Sequence, residues 1–251
     1  MLSTVIAIGI FGFLSAAVDA IAGGGGLISL PALLLVGIPP HLALGTNKFA
    51  STVGSLNSTI TFARSGKVNF HVVKWLVPFT FLGAWLGVWS VLRINPDFLN
   101  KVVPILVILV GVYSMVRKNL GIEDRFQGAK RSSRLLGMVF AFSLGFYDGF
   151  LGPGTGAFLI FVFITLFGFD FVSASANSKV LNFTSNLASL FLFAWSGNIS
   201  YFYGIPMAAS MFIGSQVGTR LAITRGAKLV KPIFVIMSLL VGAKLIRQSF
   251  Y

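Results

Sequence analysis

The chain is poor in charged side chains, and acidic ones are especially rare. Only 10% of its 251 residues are charged and six are Asp or Glu, while 56% are hydrophobic. Soluble domains carry about 25% charged residues. A chain this apolar cannot cover a surface that faces water, so the composition excludes an ordinary soluble protein and predicts that lipid surrounds much of it.

Other absences exclude further classes of function. The chain has no cysteine, so it has no disulfides and no thiolate metal sites. Its two histidines, His41 and His71, are isolated, and we expect them at helix ends. No metalloprotease or hydrolase motif occurs. GPGTGAF at 152–158 is not a nucleotide loop, because it lacks the Gly-Lys-Ser/Thr that completes a phosphate loop. We therefore expect no enzyme activity, no metal and no cofactor.

Basic residues are abundant, with 19 Lys and Arg and a net charge of +13. Most of them lie between long apolar runs, as the positive-inside rule for membrane proteins expects. No nucleic-acid-binding pattern accompanies them, so we expect membrane lipid and no nucleic acid as a partner.

Long apolar segments recur along the whole chain and predict transmembrane helices, which need about 20 residues each. Two shorter apolar pieces, 27–37 and 156–169, follow glycine-rich breaks and are too short to cross comfortably. The N-terminus lacks the basic region of a cleaved signal peptide and is interpreted as the first membrane helix. The long segments are 2–22, 41–63, 75–93, 98–117, 135–151, 172–195, 205–224 and 231–247.

The two halves of the chain resemble each other. The same order of Asp, glycine cluster, Gly, Lys and three further Gly occurs twice, at an offset of 129 residues early and 131 later. This order predicts an internal duplication. The matched pairs are Asp19 with Asp148, Gly37 with Gly168, Lys48 with Lys179, Gly66 with Gly197, Gly83 with Gly214 and Gly87 with Gly218.

The basic residues favour two repeats of opposite orientation. If each glycine break turns the chain back, three further helices cross per half, and the second half is inverted. Inversion puts 13 of the loop and helix-end Lys and Arg on the cytoplasmic side and 4 outside, whereas parallel repeats give 11 and 6. We predict an all-α membrane protein, a polytopic helical bundle of two inverted repeats, each with a glycine-broken, re-entrant or discontinuous hairpin plus three transmembrane helices. The first repeat is 1–117, a cytoplasmic linker is 118–134 and the second repeat is 135–251.

The glycine breaks are the first candidate for chemistry. In lipid an irregular loop persists only where it is buried in protein or lines a wet cavity. Each break leads into an apolar helix, whose N-terminal N–H groups suit an anion. The alternative is that the glycines only permit close helix packing. Candidate anion contacts are Gly24, Gly25, Gly26, Gly154 and Thr155.

Two lysines lie inside apolar segments, where a charge is expensive and usually functional. Each begins a stripe of polar residues at steps of three, seven and ten, which share one helix face. The alternatives are that each lysine snorkels to the membrane surface or forms a salt bridge with Asp19 or Asp148. The stripes are Lys48, Ser51, Ser55 and Ser58, and Lys179, Asn182, Asn186 and Ser189; Asn47, beside the first stripe, is also a candidate anion contact.

Asp19 and Asp148 occupy equivalent places just before the breaks. Three roles remain open for them: carrying a proton, pairing with Lys48 or Lys179, and orienting the loop by accepting hydrogen bonds from its N–H groups. Asp170 has no counterpart in the first half and is expected to cap the following helix. The hydroxyl of Tyr147 either reaches the cavity or packs.

These segments resemble a known family. AAVDAIAGGGGLISLPALLLVGIPPHLALGTNKFAS looks like the first repeat of the TauE/SafE membrane transporters, and GFYDGFLGPGTGAFL with NSKVLNFTSNLASL looks like the second. The likeness covers nearly the whole chain, and its matched segments are 15–59 and 144–189. It implies a prokaryotic inner-membrane permease for sulfur-containing anions such as sulfite and organosulfonates, often an exporter. Pro153 in the second loop has no counterpart among the four glycines of the first, so the two loops need not bind alike.

Together these features predict a secondary transporter, in the cell (inner or plasma) membrane, for a small inorganic or organic anion. Alternating access around a site between the repeats is expected, with protons as a candidate coupling ion. A passive anion channel is the nearest alternative. A membrane scaffold subunit is a different class, and it leaves the matched lysines and broken helices unexplained.

Overall fold

The structure is a computed structural model that describes residues 2–94, 124–126, 128 and 130–225. All regular secondary structure in these ranges is helical, which confirms the prediction of a helical protein for the described part of the chain. The predicted segments 98–117 and 231–247, and most of the predicted linker, lie outside the described residues. The helices are α1 (Leu2–Ala22), α2 (Gly26–Leu35), α3 (Pro40–Arg64), α4 (Phe70–Val91), α5 (Arg131–Phe150), α6 (Thr155–Phe167), α7 (Phe171–Trp195) and α8 (Tyr201–Arg225).

The helices form two series of similar design. In each series a short second helix follows a glycine break: α2 has 10 residues and α6 has 13, while the other helices have 20 to 25. At about 1.5 Å per residue, helices as short as α2 and α6 reach only half to two thirds of a hydrocarbon core of about 30 Å. Two helical segments, Ser3–Ala22 and Phe70–Val91, are both long and apolar enough to span a membrane by composition.

The first glycine break folds the chain back on α1. Gly23 has a φ of 73°, a left-handed conformation that L-residues with side chains avoid. The hydroxyl of Ser15 then donates to the carbonyl of Gly25 over 2.8 Å, and the N–H of Gly25 donates to Oδ1 of Asp19 over 3.2 Å. These bonds satisfy backbone groups that have no helical partner at the break.

The second break uses different residues to the same effect. Gly152 and Gly154 both have positive φ, at 89° and 81°. The hydroxyl of Tyr147 donates to the carbonyl of Pro153 over 2.9 Å, and the hydroxyl of Thr155 donates to the carbonyl of Gly152 over 2.8 Å. The Tyr147 hydroxyl therefore secures the loop, and Tyr147 is not among the residues that line the cavity described below.

Small residues let the outer helices of one series pack closely on those of the other. In α4, a Cβ atom on Gly83 or Gly87 would lie 2.2 Å from the carbonyl oxygen of Phe142 or Phe146 in α5. In α8, Gly214 meets Phe13 of α1 in the same way. Backbones this close are typical of helix packing in membranes, where small residues form the contacts.

The central helices α3 and α7, which hold the matched lysines Lys48 and Lys179, run antiparallel. Lys48 in the first half of α3 bonds Asn186 in the second half of α7, and Thr59 in the second half of α3 donates to the carbonyl of Lys179 in the first half of α7. By contrast α3 and α8 run parallel, since Thr46 contacts Ser200 and Ser58 contacts Thr219. Residues of different series therefore face one another across the centre.

Large apolar side chains are exposed around the outside of the bundle. Val139, Ile213, Leu82 and Ile10 each have more than half of their surface open. Trp195, at the end of α7, is 93% exposed. An exposed apolar surface of this extent is unfavourable in water and suits contact with lipid.

Candidate functional site

Two ion pairs lie at the centre, and each joins one half of the chain to the other. Nζ of Lys48 is 2.9 Å from Oδ2 of Asp148, and Nζ of Lys179 is 2.7 Å from Oδ2 of Asp19. The lysine side chains are 3% and 0% exposed, so neither ammonium group reaches the molecular surface. In this structure the lysines therefore do not snorkel to the membrane surface. Instead they form salt bridges with the two aspartates.

The ion pairs carry additional hydrogen bonds, as buried charges require. Lys48 Nζ also donates to Oδ1 of Asn186 over 3.2 Å, and the hydroxyl of Ser185 donates to Oδ2 of Asp148. Asp19 accepts from the N–H of Gly25 as well as from Lys179. Of the three roles open for Asp19, pairing with a lysine and orienting the loop are both observed.

The two glycine breaks touch directly. The N–H of Ala157 donates to the carbonyl of Gly23 over 3.1 Å. A Cβ on Gly23 would lie 2.2 Å from the carbonyl carbon of Gly156, and one on Gly156 would lie 2.5 Å from Cα of Gly23. At these two positions the glycines serve close packing, the alternative considered for the whole cluster.

A cavity lies beside the ion pairs, between the two series of helices. The volume that the centre of a water molecule can occupy in it is about 40 Å³. One water needs roughly 10–15 Å³ on that measure, so the cavity holds a small ion or a few waters in this conformation. It is lined by Ser15, Ala16, Asp19, Gly23, Gly25, Gly26, Asn47, Lys48, Ser51, Gly54, Ser55, Ser58, Asp148, Gly152, Gly154, Gly156, Asn182, Asn186 and Met211.

Most of the predicted site residues meet at this cavity. Three do not line it: Lys179, Gly24 and Thr155. Lys179 is fully buried behind Asp19, and Thr155 bonds its own loop. The candidates that line the cavity are Asn47, Lys48, Ser51, Ser55, Asn182, Asn186, Gly25, Gly26, Gly154, Asp19 and Asp148.

The cavity is unequal with respect to the two series. It is lined by six residues of α3 but only two of α7, although the two helices carry equivalent stripes. The Asp19 side chain is 29% exposed, while its counterpart Asp148 is 7% exposed. The part of the site nearest Asp19 is therefore the open one.

Besides Ser58 of the first stripe and further glycines of the two breaks, four lining residues were not predicted as site residues: Ser15, Ala16, Gly54 and Met211. Ser15 lies one helical turn before Asp19, so helical spacing alone could have suggested it. Gly54 lies three residues after Ser51 on the same helix face, so spacing suggests it as well. Met211 has no such signal. It reaches the cavity because α8 packs on α3, where a Cβ on Gly54 would lie 3.4 Å from the Met211 side chain.

Other polar residues have local roles. Asp170 caps α7, as predicted, with Oδ1 accepting from the N–H of Ser173 over 2.6 Å. His41 and His71 lie in the first turns of α3 and α4. Among the described residues no three His, Asp or Glu side chains are grouped as metal ligands.

One cation, Lys48, and two carboxylates thus line a largely buried cavity with hydroxyl and amide groups, and a second cation, Lys179, lies behind Asp19. Such walls suit a small polar or ionic ligand. The carboxylates lie on the lysines, so any anion that reaches Lys48 competes with Asp148.

Several known proteins are similar over nearly the whole chain. A probable membrane transporter protein of Haemophilus influenzae is 42% identical over 94% of this chain and 91% of its own length. The probable membrane transporter protein YfcA of Escherichia coli K12 is 40% identical over 92% of this chain and 86% of its own. A third, ORF9 of a Sinorhizobium species, is 38% identical over 93% and 89%. No solved structure matches the chain significantly.

The model of the family "Sulfite exporter TauE/SafE" matches residues 8–245. That range includes both glycine breaks, both buried lysines and both aspartates. The expected resemblance is confirmed, and the chain belongs to the TauE/SafE family of membrane transporters.

Proposed function

We propose that this protein is a multi-pass transporter of the cell inner or plasma membrane that carries small anions by alternating access. Sulfur oxyanions such as sulfite or small organosulfonates are the expected substrates. The observation that carries the proposal is the pair of exchanged salt bridges, Lys48 with Asp148 and Lys179 with Asp19, beside one small polar cavity.

The proposal includes two inverted repeats, 1–117 and 135–251, joined by a cytoplasmic linker at 118–134. The antiparallel course of the equivalent helices α3 and α7 supports inversion, because parallel repeats would keep equivalent helices parallel. The distribution of basic residues supports it independently. Transporters with inverted repeats commonly bind substrate at the repeat interface, near broken helices.

The donors around the cavity support an anion as the substrate. Lys48 supplies a charge, Ser51, Ser55 and Asn182 supply hydroxyl and amide groups, and the first N–H groups of α2 and α6 lie at the breaks. The cavity volume favours an ion of a few heavy atoms. Sulfite as the particular anion rests on the description of the family, since the similar proteins are named only as probable membrane transporters.

Alternation between two states follows from the unequal halves. In this conformation both aspartates line the cavity, but the side chain of Asp19 is 29% exposed and that of Asp148 only 7%. In inverted repeats, exchanging the conformations of the two halves would expose Asp148 and cover Asp19. The direct contact of Gly23 with Ala157 favours this over an open channel, because backbone atoms meet at the centre of the bundle.

Proton coupling fits the charge balance of the site. With both pairs ionised the four groups sum to zero, so adding an anion alone places an uncompensated charge in a buried cavity. A proton on Asp19 would offset that charge and release Lys179 from its partner. Asp19 is the better candidate of the two aspartates because more of its side chain faces the cavity.

The proposal is tested in reconstituted vesicles with radiolabelled sulfite. Lys48→Gln alone leaves Asp148 unpaired and risks misfolding, so the informative variant is the double change Lys48→Gln with Asp148→Asn, which removes both charges. If Lys48 binds the anion, the double variant folds and does not transport. Transport at the wild-type rate would mean that Lys48 serves only to neutralise Asp148, and the proposed site would be wrong.

A further inference from the structure

Asn47 is a buried hydrogen-bond acceptor without a donor. It precedes Lys48 on α3, lines the cavity and is only 6% exposed. Its Oδ1 atom is buried and accepts no hydrogen bond from the residues that the structure describes. Buried polar atoms in folded proteins nearly always have a partner, and leaving one without costs free energy. A buried acceptor without a partner, on a residue that lines the cavity, points to a donor on the ligand.

The residue that matches Asn47 in the second half of the chain provides no acceptor at this cavity. Ser178 corresponds to Asn47 at the offset of 131 residues, and its hydroxyl donates to the carbonyl of Ser175 over 2.9 Å. Ser178 does not line the cavity. The open acceptor therefore belongs to α3 alone, so it affects which ligand binds rather than the common framework of the two halves.

The other groups that line the cavity also favour a ligand with a hydrogen-bond donor. Its walls combine donors, chiefly the ammonium of Lys48, with two carboxylates, of which that of Asp19 is partly exposed. A ligand that only accepts hydrogen bonds would satisfy the donors and face Asn47 Oδ1 and Asp19 with lone pairs. A ligand with an oxyanion end and one N–H or O–H group satisfies both the donors and the acceptors of the cavity.

We infer that the cavity selects oxyanions that also carry a hydrogen-bond donor, and that Asn47 Oδ1 accepts from that donor. The ligand class is a small monoanion with an N–H or O–H group, such as a protonated oxyanion, in preference to anions that only accept. This inference rests on the proposed function, because it assumes that the cavity binds an anion.

Sulfamate and methanesulfonate separate the two cases. They are tetrahedral monoanions of the same number of heavy atoms, and they differ by an NH₂ group in place of CH₃. Binding of each to the purified full chain in detergent is measured by calorimetry. We expect sulfamate to bind about tenfold more tightly, the effect of one well-formed buried hydrogen bond.

Two variants assign the preference to Asn47. Asn47→Leu keeps the size of the side chain and removes its acceptor, so it should reduce the tenfold ratio of the two affinities to about one, whatever common change both affinities undergo. Ser51→Ala, in the same cavity, should weaken both anions alike and keep the preference. A monodisperse size-exclusion profile establishes that each variant is folded.

The outcomes distinguish this inference from the proposal beneath it. Equal affinity of the wild type for the two anions, or tighter binding of methanesulfonate, would overturn the donor inference while leaving anion binding intact. A preference that survives in Asn47→Leu would also overturn it. Failure of the wild type to bind either anion would count against the proposed function itself.

Discussion

Lys179 and Asp19 form a salt bridge of 2.7 Å although they are 160 residues apart, and the equivalent residues Lys48 and Asp148 form the other. Each half of the chain thus supplies the lysine of one pair and the aspartate of the other. In this structure each buried lysine is therefore neutralised by an aspartate of the other half. The two ion pairs therefore make the stability of each half depend on the other.

The first prediction concerns the contribution of the salt bridge between Lys179 and Asp19 to the free energy of unfolding. Asp19→Asn leaves the buried Lys179 without its partner and should destabilise the protein by about 3–5 kcal/mol, as should Lys179→Gln. The double variant should lose less than the sum, with a coupling energy of about 1–3 kcal/mol. Denaturant titration in detergent, followed by tryptophan fluorescence, measures the free energies of unfolding.

Asp170→Asn combined with Lys179→Gln is the matched control. Asp170 caps α7 and lies nine residues before Lys179, about 13 Å along the helix. These two changes should be additive. Additivity for Asp19 with Lys179 as well would contradict a direct energetic role for the salt bridge.

The helices could be predicted from the sequence because they depend on local composition and order. Long apolar runs identified α1, α3, α4, α5, α7 and α8, and the glycine breaks before α2 and α6 were evident from their residues. Glycines at equivalent positions, Gly37 with Gly168 and Gly66 with Gly197, all adopt positive φ. This agreement reflects a local turn chemistry that the sequence encodes directly.

The site was predictable only as far as helical spacing reaches. The stripe beginning at Lys48 was visible because its members share one helix face. Which aspartate pairs with which lysine was not visible, because that choice depends on how the two halves pack. The same holds for Met211, which reaches the cavity only through the contact of α8 with α3.

The second prediction concerns proton movement. If Asp19 carries the proton, Asp19→Asn should exchange sulfite across vesicle membranes but should no longer accumulate it in response to a pH gradient. A pH-sensitive dye trapped in the vesicles should report anion-dependent proton entry for the wild type and none for the variant. The physical reason is that an amide side chain, unlike a carboxylate, cannot take up a proton on one side of the membrane and release it on the other.

Asp124→Asn serves as the control for that experiment. Asp124 is exposed, its Oδ1 accepts from the N–H of Phe126, and it is not among the residues that line the cavity. Its replacement should leave coupling unchanged. Coupled proton entry that persists in Asp19→Asn would assign the proton to another group.

The third prediction concerns orientation in the membrane. Ser65 and Ser196 are exposed, follow α3 and α7, and donate to the carbonyls of the equivalent residues Phe62 and Phe193. Inverted repeats put them on opposite sides of the membrane. Because the chain has no cysteine, Ser65→Cys and Ser196→Cys each introduce a single reactive thiol.

A membrane-impermeant maleimide added to intact bacterial cells should label Ser196→Cys and not Ser65→Cys. Opening the membrane should make both react, which shows that each thiol is accessible, and the parent chain provides the unlabelled background. Labelling of both variants in intact cells would rule out inversion.

The last prediction separates the two demands that the structure makes on glycine. Gly23 and Gly37 both have left-handed φ, at 73° and 85°. Beyond the backbone conformation they differ: a Cβ on Gly23 would lie 2.2 Å from Gly156, whereas a Cβ on Gly37 would have nothing within 4 Å.

Gly37→Ala should therefore cost about 1 kcal/mol, the strain of an L-residue in this conformation. Gly23→Ala adds a backbone clash that no rotamer relieves, and it should cost about 3 kcal/mol or more. Melting temperatures from size-exclusion profiles of heated samples compare the two, and a similar small loss for both would show that the two breaks are not pressed together at the centre.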